Sequence, residues 1–447
     1  MRHLKTFSLV CVALLLASPA FAAEPADPTF LLEEIVVEGN RNVSPEIVIA
    51  ESLLKTSESY SEDDLRDAVY RIKRLPFLIG VDFELRKGST RGRYILAIEI
   101  LETKRFFYGV DLRVDRQHDD TDFVFFDDTQ WALDFLIGWR HFVGSKGILY
   151  ATLGDIGTQV GYSNYNFLNR NLFLDVSFER SVICCAADDD LNRAFDANIS
   201  TILDDETDTF RITLGIPRSA RQLFRIDASY RSGDGFTRLE DGDLDDGGLL
   251  IFLSEEKVKR TELTGSWIYD TTDDPIFPHR GDELIGSLGI RRTESEATVA
   301  FAFGDVITDT NIASDVEATE INATLFGRRH WPLSNRQSLA ASFELRLANS
   351  ERDAQVGDLL PFQEDFESWA ARVAARHAVD LIGVKRSQPQ RRLRWENRLE
   401  LNYVETTGDD FSFDRSQLIF GSDLIYRNRW GVLRFRLQII DVLEQSS

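Results

Sequence analysis

The sequence is poor in the residues that most often build catalytic or metal sites. Its 447 residues include 3 cysteines, 1 methionine and 6 histidines. The histidines are scattered along the chain, at His3, His118, His141, His279, His330 and His377. The sequence has no serine-hydrolase elbow, phosphate-binding loop or zinc-peptidase motif. We therefore expect no enzymatic activity, no metal and no cofactor.

Cysteine is too sparse to define a disulfide framework. Cys184 and Cys185 are adjacent, and a disulfide between neighbours is strained. A zinc site would need a second pair of ligands, which the sequence lacks. Cys11 lies inside an apolar stretch after Val10, so it does not fit a lipid-modified cysteine. We interpret Cys184 and Cys185 as a surface-loop pair without chemistry.

Positive charge and long apolar runs are also scarce. The chain has 51 Lys+Arg against 74 Asp+Glu, a net charge of −23. A nucleic-acid surface requires clustered positive charge, so we exclude nucleic acid as a partner. After residue 23 no apolar run approaches the ~20 residues of a transmembrane helix. A membrane role would therefore need a closed β-barrel or surface binding.

Residues 1–23 have the pattern of a secretory signal peptide. A short basic start is followed by the apolar "SLVCVALLLA" and the small residues of "SPAFAA", which predicts cleavage after Ala22 or Ala23. A membrane anchor is the alternative, and the short apolar run disfavours it.

Residues 30–103 predict a small α+β module in the order β-α-α-β-β. A first strand ends at Gly39, and Ser44 and Ser61 are placed as N-caps of two helices. Two alternating strands follow, joined by a turn at 88–92.

From 105 to 447 the helical period nearly disappears and strand alternation recurs. In one segment Leu174 and Phe178 alternate with Asp175 and Glu179. Such alternation would also fit a soluble sandwich. However, the segments have the ~9–11 residues of a membrane crossing, and aromatics recur near their ends. The polar faces carry both charge signs, as a wet lumen would, so we predict an all-β transmembrane barrel.

Two kinds of segment interrupt this pattern. The acidic ones, interpreted as solvated loops, lie at 119–128, 188–190, 204–208 and 240–248. In the last, Asp241, Asp243 and Asp245 alternate like calcium ligands, but the required glycine comes one place late, which favours a solvated loop. The alanine-rich 365–383 predicts a helical connection, followed by a basic segment with a proline.

The stretch "YDTTDDPIFPHRGDELIG" predicts a strand, a rigid reversal and a second strand. Pro275 and Pro278 remove two backbone donors and do not suit a central strand. Gly281 is suited to a positive φ. We therefore predict a tight turn between two strands here.

Together these features resemble the outer-membrane protein assembly and translocation superfamily. Its members carry periplasmic polypeptide-transport-associated (POTRA) domains before a bacterial-surface-antigen barrel, and this chain is similar to a short member with one POTRA domain. One similarity is the POTRA opening in 34–48, with Val37, Gly39 and Asn40; another is a strand–turn–strand at 162–178, where Asn169 replaces the usual glycine. The most specific residues are those of the family turn motif, Asp270, Asp274, Pro275, Phe277, Pro278, Arg280 and Gly281.

The resemblance implies a barrel of about 16 strands in the outer membrane of a Gram-negative bacterium, with the POTRA domain in the periplasm. The implied partners are outer-membrane lipids and unfolded outer-membrane or secreted polypeptides. The resemblance also allows periplasmic proteins or lipoproteins as partners. A client would add a strand to the POTRA sheet, at 78–87 or 93–102. The barrel would then open between its first and last strands and template insertion, without covalent chemistry.

Three departures favour an alternative, a repurposed or passive barrel (pore or structural) without insertase activity. The family's inward loop, expected within 359–392, carries an arginine–glycine–aromatic motif, and the nearest candidate here is Arg376, which no glycine follows. If Arg376 reaches the lumen, we expect an acidic partner on the barrel wall. Only one POTRA domain is predicted, and the last predicted strand, 432–440, is followed by no terminal aromatic residue.

Overall fold

The chain folds into a small α+β sheet followed by a closed β-barrel, which confirms the predicted fold class. The computed structural model describes residues 28–118, 129–142, 146–154, 157–186, 199–241, 250–303, 306–356, 362–382, 391–408 and 412–446.

The small sheet has four strands in the spatial order β2-β1-β4-β3, with β1 parallel to β4. Its strands are β1 (Thr29–Glu38), β2 (Ser59–Ser61), β3 (Leu78–Lys87) and β4 (Arg93–Glu102). Its helices are α1 (Pro45–Ser52) and α2 (Glu62–Ile72). The predicted order is confirmed, with β2 as a short addition.

The two helices begin where the sequence predicts. Ser44 precedes α1 with extended backbone and Pro45 takes the first helical position. The Ser61 side chain accepts a hydrogen bond from the Asp64 amide, and the Asp64 side chain accepts one from the Ser61 amide. This capping box satisfies two amide donors at the start of α2. Neither helix is long and apolar enough to cross a membrane.

Within the described residues the barrel has fifteen strands, close to the roughly 16 that the resemblance implies. They are β5 (Phe106–His118), β6 (Thr129–Phe142), β7 (Gly147–Gly154), β8 (Gly157–Phe167), β9 (Leu172–Ala186), β10 (Ile199–Ser219), β11 (Gln222–Asp241), β12 (Leu250–Asp270), β13 (Gly281–Phe303), β14 (Val306–Ser334), β15 (Gln337–Val356), β16 (Phe362–Ile382), β17 (Arg391–Thr407), β18 (Ser412–Asn428) and β19 (Gly431–Ser446). Sequential strands pair antiparallel, and the last strand closes the barrel parallel to β5.

The barrel is apolar outside and charged inside. On β17 the outer face exposes Trp395, Leu399 and Leu401. Arg394 and Glu400 of the same strand are buried on the inner face. This is the reverse of a soluble sandwich, because the exposed positions are the apolar ones. The predicted apolar outer face and charged inner face are confirmed.

Several strands are much longer than the predicted 9–11 residues. β13 has 23 residues and β14 has 29. On the outer face of β13, exposed Leu288 and Ile290 are followed by exposed Arg292, so the apolar belt ends there while the strand continues. The acidic segment 204–208, predicted as a loop, is part of one such long strand, β10. Neither face of this segment is apolar, so its sequence pattern does not indicate a strand.

The prediction of a helical connection at 365–383 is wrong, because the segment forms β16. Alanine is common in helices and hides the period of two. Val373 and Ala375 are exposed on the outer face, whereas Ala374 and Ala378 are buried on the inner face. Pairing with β15 and β17 overrides the local helical preference.

Candidate functional site at the near end of the barrel

The small sheet lies at one end of the barrel, called here the near end, where residues 271–280 form the turn between β12 and β13. Three aspartates shape this near-end turn. Asp270 accepts from the Thr272 amide at 2.8 Å, and Asp274 accepts from Phe277 at 2.9 Å. Asp273 accepts from the His279 amide, also at 2.9 Å. Each aspartate thus supplies an acceptor for a turn amide that has no carbonyl partner in a strand ladder.

The near-end turn runs into the barrel mouth and reaches β16 and β17, which lie three and four strands beyond β13. Phe277 is fully buried, with its ring centre 5.3 Å from the Arg392 guanidinium and 5.0 Å from that of Arg394. Arg394 donates to the carbonyl oxygens of Phe277 and Pro278 at 3.2 and 3.1 Å. The turn is therefore held across the barrel mouth by two arginines of β17.

A buried ion pair supports this arrangement. The Arg394 Nε lies 2.6 Å from Asp380 Oδ1 of β16, and the two side chains are 1% and 2% exposed. His279 Nε2 of the near-end turn lies 2.7 Å from Asp380 Oδ2. Since a buried ion must have its hydrogen bonds satisfied, the turn backbone and the ion pair stabilise each other.

The near-end turn is also tied electrostatically to the barrel. Asp274 Oδ2 lies 2.8 Å from Arg392 Nη1. Burial alone would raise the pKa of Asp274, but the Arg392 and Arg427 guanidiniums and two backbone amides outweigh it and hold this pKa below its usual value. Asp274 is therefore an ionised anchor at neutral pH.

Helix α2 and the residues directly after it contact the near-end turn and the turn between β10 and β11. Arg74 Nη2 lies 2.8 Å from Asp270 Oδ1, the residue that begins the near-end turn. Arg280 donates to the Tyr70 hydroxyl, and Arg221 of the turn between β10 and β11 pairs with Asp67. The small sheet is thus fastened to the barrel mouth on the side of the near-end turn.

The apolar core beneath the small sheet also continues into the barrel. Phe77 is fully buried, stacks on His141 at 5.0 Å between ring centres and meets Tyr165 edge-on at 5.6 Å. Phe107 and Ile148 of the barrel belong to the same buried cluster. Apolar packing and ion pairs together fix the sheet on the near end.

One long edge of the small sheet is unpaired within the described part of the chain. β3 is the outermost strand, whereas β4 pairs with β1 on one side and with β3 on the other. The predicted acceptor strand 93–102 is therefore wrong, because its hydrogen-bonding groups are already used on both sides. The strand 78–87 remains available for strand addition.

The candidate lumen-loop arginine is not in a loop. Arg376 lies in β16 on the inner face, and its Nη1 is 3.4 Å from Glu396 Oε2 of β17. The interpretation of an inward loop around Arg376 is wrong, since this stretch is part of the barrel wall. An acidic wall partner, as expected for a lumen-facing arginine, is present.

The family turn motif and the POTRA opening occupy distinct places. All seven motif residues lie in the near-end turn or at its two ends. Gly281 has φ +111°, as predicted, and a Cβ there would lie 2.5 Å from the Thr271 carbonyl oxygen. Val37 is the last residue but one of β1, and Gly39 follows the strand with φ +82°. The Asn40 side chain donates to the Val43 carbonyl oxygen at 3.3 Å.

Some predictions concern residues beyond the described ones. The signal peptide 1–23, the acidic segment 119–128 and the calcium-like positions Asp243 and Asp245 lie outside them. Cys184 and Cys185 fall in β9 rather than in the predicted loop, and their side chains are not among those described. In the described ranges no three His, Cys, Asp or Glu side chains are grouped to hold a metal.

The sequence reasoning missed the residues that hold the near-end turn. Asp380 falls in the predicted helical connection, and Arg392 and Arg394 fall where the basic segment meets a predicted strand, 392–403. The available signal was the alternation of charges in "RRLRWENRLE", which places arginine and glutamate on one face of a strand. Only the barrel brings that face opposite Phe277.

The fold and the near-end site define a class: an antiparallel barrel with an apolar exterior and a small α+β sheet docked at one end. No family model matches the sequence, and no curated protein is similar to it. Among solved structures, BamA from Haemophilus ducreyi lacking POTRA domains 1–3 is similar, with 10% identity over 89% of this chain and 81% of that one, at a TM-score of 0.40.

Two further similar structures are barrels of different kinds. CdiB from Acinetobacter baumannii has 11% identity over 88% of this chain and 70% of its own, at a TM-score of 0.36. The siderophore receptor PiuA from Acinetobacter baumannii has 8% identity over 88% and 69%, also at a TM-score of 0.36. Nothing about activity follows from likenesses of this strength.

Proposed function

We propose that this chain is an outer-membrane β-barrel protein that assists the assembly, insertion or translocation of polypeptides. The small sheet would act as a POTRA domain in the periplasm and capture an extended client segment along β3. The observation that carries the proposal is the free edge of β3, held beside the barrel mouth by α2 and the near-end turn. Recognition would be by backbone hydrogen bonds, so no catalytic residue is required.

The apolar exterior supports a membrane location. Its outer-face side chains are aliphatic or aromatic from Leu433 through Ile439 on β19 and from Leu339 through Leu347 on β15. The ion pairs of the interior, such as Arg372 with Glu400 at 2.6 Å, suit a wet lumen. The near end would then face the periplasm, because the small sheet follows the predicted signal peptide.

The first experiment depletes the protein in its own host and compares other outer-membrane barrels on cold and heated gels. If the proposal holds, those barrels lose their compact cold form and accumulate in the periplasm. Normal folding of every other barrel, with no secreted protein retained, would contradict it.

Client capture can be located by disulfide trapping. Asp82 of β3 and Glu99 of β4 are paired across the sheet and are both exposed, so they make a matched pair. In a background without Cys184 and Cys185, cysteine at 82 should trap a client cysteine and cysteine at 99 should not, because β4 has no free edge. Equal trapping at both positions would contradict strand addition at β3.

The second candidate is a passive or structural barrel. It is favoured by the position of Arg376 in the barrel wall, where the loop arrangement of the family is not seen in the described residues. Under this alternative, depletion leaves other barrels folded, and planar-bilayer conductance of the purified protein becomes the relevant measurement.

A further inference from the structure

Three cations gather at the near end of the seam where the barrel closes. The Lys104 amide donates to the Arg429 carbonyl oxygen at 3.0 Å, just before β5 begins. Arg391, the first residue of β17, lies opposite Asn428 in the ladder with β18. Because paired strands are about 5 Å apart, Lys104, Arg391 and Arg429 surround the single turn between β18 and β19.

These cations have no carboxylate partner within the described part of the chain, unlike most arginines of the barrel. Arg392, the next residue along, points inward and pairs with Asp274 at 2.8 Å. The Arg429 Nε is buried and has no hydrogen-bond partner among the described residues. The guanidinium group carries four further N–H donors, and these are the groups that would bind an anion.

The turn itself is rigid and presents an indole ring to the outside. The Asn428 side chain accepts from the amides of Trp430 and Gly431 at 2.7 and 3.0 Å. Trp430 is 46% exposed, and Lys104 Nζ lies 5.7 Å from its ring centre. Tryptophan beside lysine or arginine at the border of an apolar belt is typical of the lipid headgroup region.

The apolar belt starts directly above this cluster. Leu433 lies on β19, three residues after Trp430 of the turn, and Trp395 follows Arg391 on the outer face of β17. The Leu433 and Trp395 side chains are both exposed. A lipid whose headgroup meets the three cations would therefore lay its acyl chains along these side chains.

We propose that Lys104, Arg391, Arg429 and Trp430 form a binding site for the phosphate-bearing headgroup of an anionic phospholipid. This rests on the proposed membrane location. Guanidinium groups bind phosphate oxygens in pairs, and the ammonium group adds a point charge. A zwitterionic headgroup would bring its own cation to a site that already holds three, so an anionic lipid is favoured. The chain's net charge of −23 gives no general attraction for anions, so the preference is local.

The test is lipid binding to the delipidated full-length protein, with phosphatidylglycerol and phosphatidylcholine compared in native mass spectrometry. The wild type should bind phosphatidylglycerol at least about tenfold more tightly than phosphatidylcholine, since each cation near the surface contributes to anionic-lipid binding. The variant K104Q/R391Q/R429Q should lose this preference.

A matched control removes three cations elsewhere on the outer face. Lys257, Lys259 and Arg292 are exposed beyond the apolar belt at the opposite end, and Arg292 already pairs with Glu294 and Glu317. The variant K257Q/K259Q/R292Q should keep the lipid preference of the wild type. Equal loss in both triple variants, or equal binding of the two lipids by the wild type, would overturn the site.

A folding measurement separates this proposal from the proposed function. Wild type and both variants are reconstituted in phosphatidylcholine vesicles and compared on cold and heated gels. A compact cold form in vesicles without any lipid preference overturns the headgroup site alone. Failure of the wild type to fold in any vesicle overturns the membrane location and the site with it.

Discussion

At the residue scale, the near-end turn is held by one arginine that is buried rather than exposed. Arg394 is 1% exposed and donates to Asp380 and to two carbonyl oxygens of the near-end turn. Taking such a charge out of water is expensive, and only complete hydrogen bonding offsets the cost. Asp380 and the near-end turn are therefore coupled through one side chain.

Replacing Asp380 by alanine should destabilise the barrel by about 3–5 kcal/mol, because Arg394 would remain buried without its carboxylate. The control is Asp423→Ala, whose partner Arg436 lies at 3.3 Å and is 23% exposed, against 1% for Arg394. Urea unfolding in detergent, followed as loss of the compact form on cold gels, measures the difference. Similar losses in both variants would contradict the coupling.

A second residue-scale prediction concerns pH and Glu51 in α1. Burial raises the pKa of Glu51 from 4.5 to about 7, although the Arg71 guanidinium 2.8 Å away lowers it. The folded protein therefore holds a proton that the unfolded chain releases above pH 4.5. Stability from this group is complete below about pH 4.5 and falls as the pH rises towards about 7.

Hydrogen exchange of the α1 and α2 amides, corrected for intrinsic rates, should show weaker protection at pH 8 than at pH 5. Glu51→Gln should remove most of this difference, because the buried side chain no longer ionises. Glu46→Gln, on the exposed start of the same helix, serves as the control and should leave it unchanged. A pH dependence that persists in Glu51→Gln would contradict the assignment.

At the element scale, the near-end turn shows how a connection can be as well defined as a strand. Asp270, Asp273 and Asp274 fix its amides, and Gly281 ends it in a conformation that other residues rarely adopt. The strand reversal predicted from the prolines is confirmed, but the connection spans residues 271–280 and is longer than a tight turn. Its inward path across the mouth is set by β16 and β17.

Gly281→Ala should therefore destabilise the barrel by about 1–3 kcal/mol, the usual cost of a strained backbone. The added Cβ would lie 2.5 Å from the Thr271 carbonyl oxygen, and φ is +111°. Gly286→Ala, in the same strand with nothing within 4 Å of the added Cβ, is the matched control. The temperature at which the compact form disappears on gels should fall for Gly281→Ala only.

At the scale of the whole molecule, the outer surface is asymmetric. Trp139, Trp331, Trp395 and Trp430 are all exposed, and all lie close to the near end. Aromatic rings of this kind gather where hydrocarbon meets headgroups, so they set the near border of the apolar belt. Beyond the opposite border β13 and β14 continue, so this part of the barrel wall is taller than the part formed by β7 and β8.

These tryptophans should be quenched by brominated lipids in reconstituted vesicles, and more strongly by bromine near the headgroups than by bromine at the bilayer centre. Trp395→Phe should remove part of the quenched signal, because this indole ring is 44% exposed on the outer face at the near border of the apolar belt. Fluorescence that does not respond to either lipid would place the near end outside the membrane.

The sequence alone determined the order of the elements, the caps of α2, the turn at Pro275 and Pro278, and the two faces of most barrel strands. These depend on local chemistry: backbone dihedrals, missing donors and a period of two. It could not identify β16, because alanine satisfies helical and strand patterns equally. It also missed the polar extension at 204–208, where no apolar face marks a strand.

Only the tertiary structure decided which residues meet. Asp274, Phe277 and Asp380 are separated from their partners Arg392 and Arg394 by 12 to 118 positions, and closure of the barrel brings them together. The strand order of the small sheet leaves β3 at an edge, and the closure of the barrel places Lys104 beside Arg429. Long-range hydrogen bonding and burial select these contacts, and no local pattern records them, because each side chain's partner lies on a different strand.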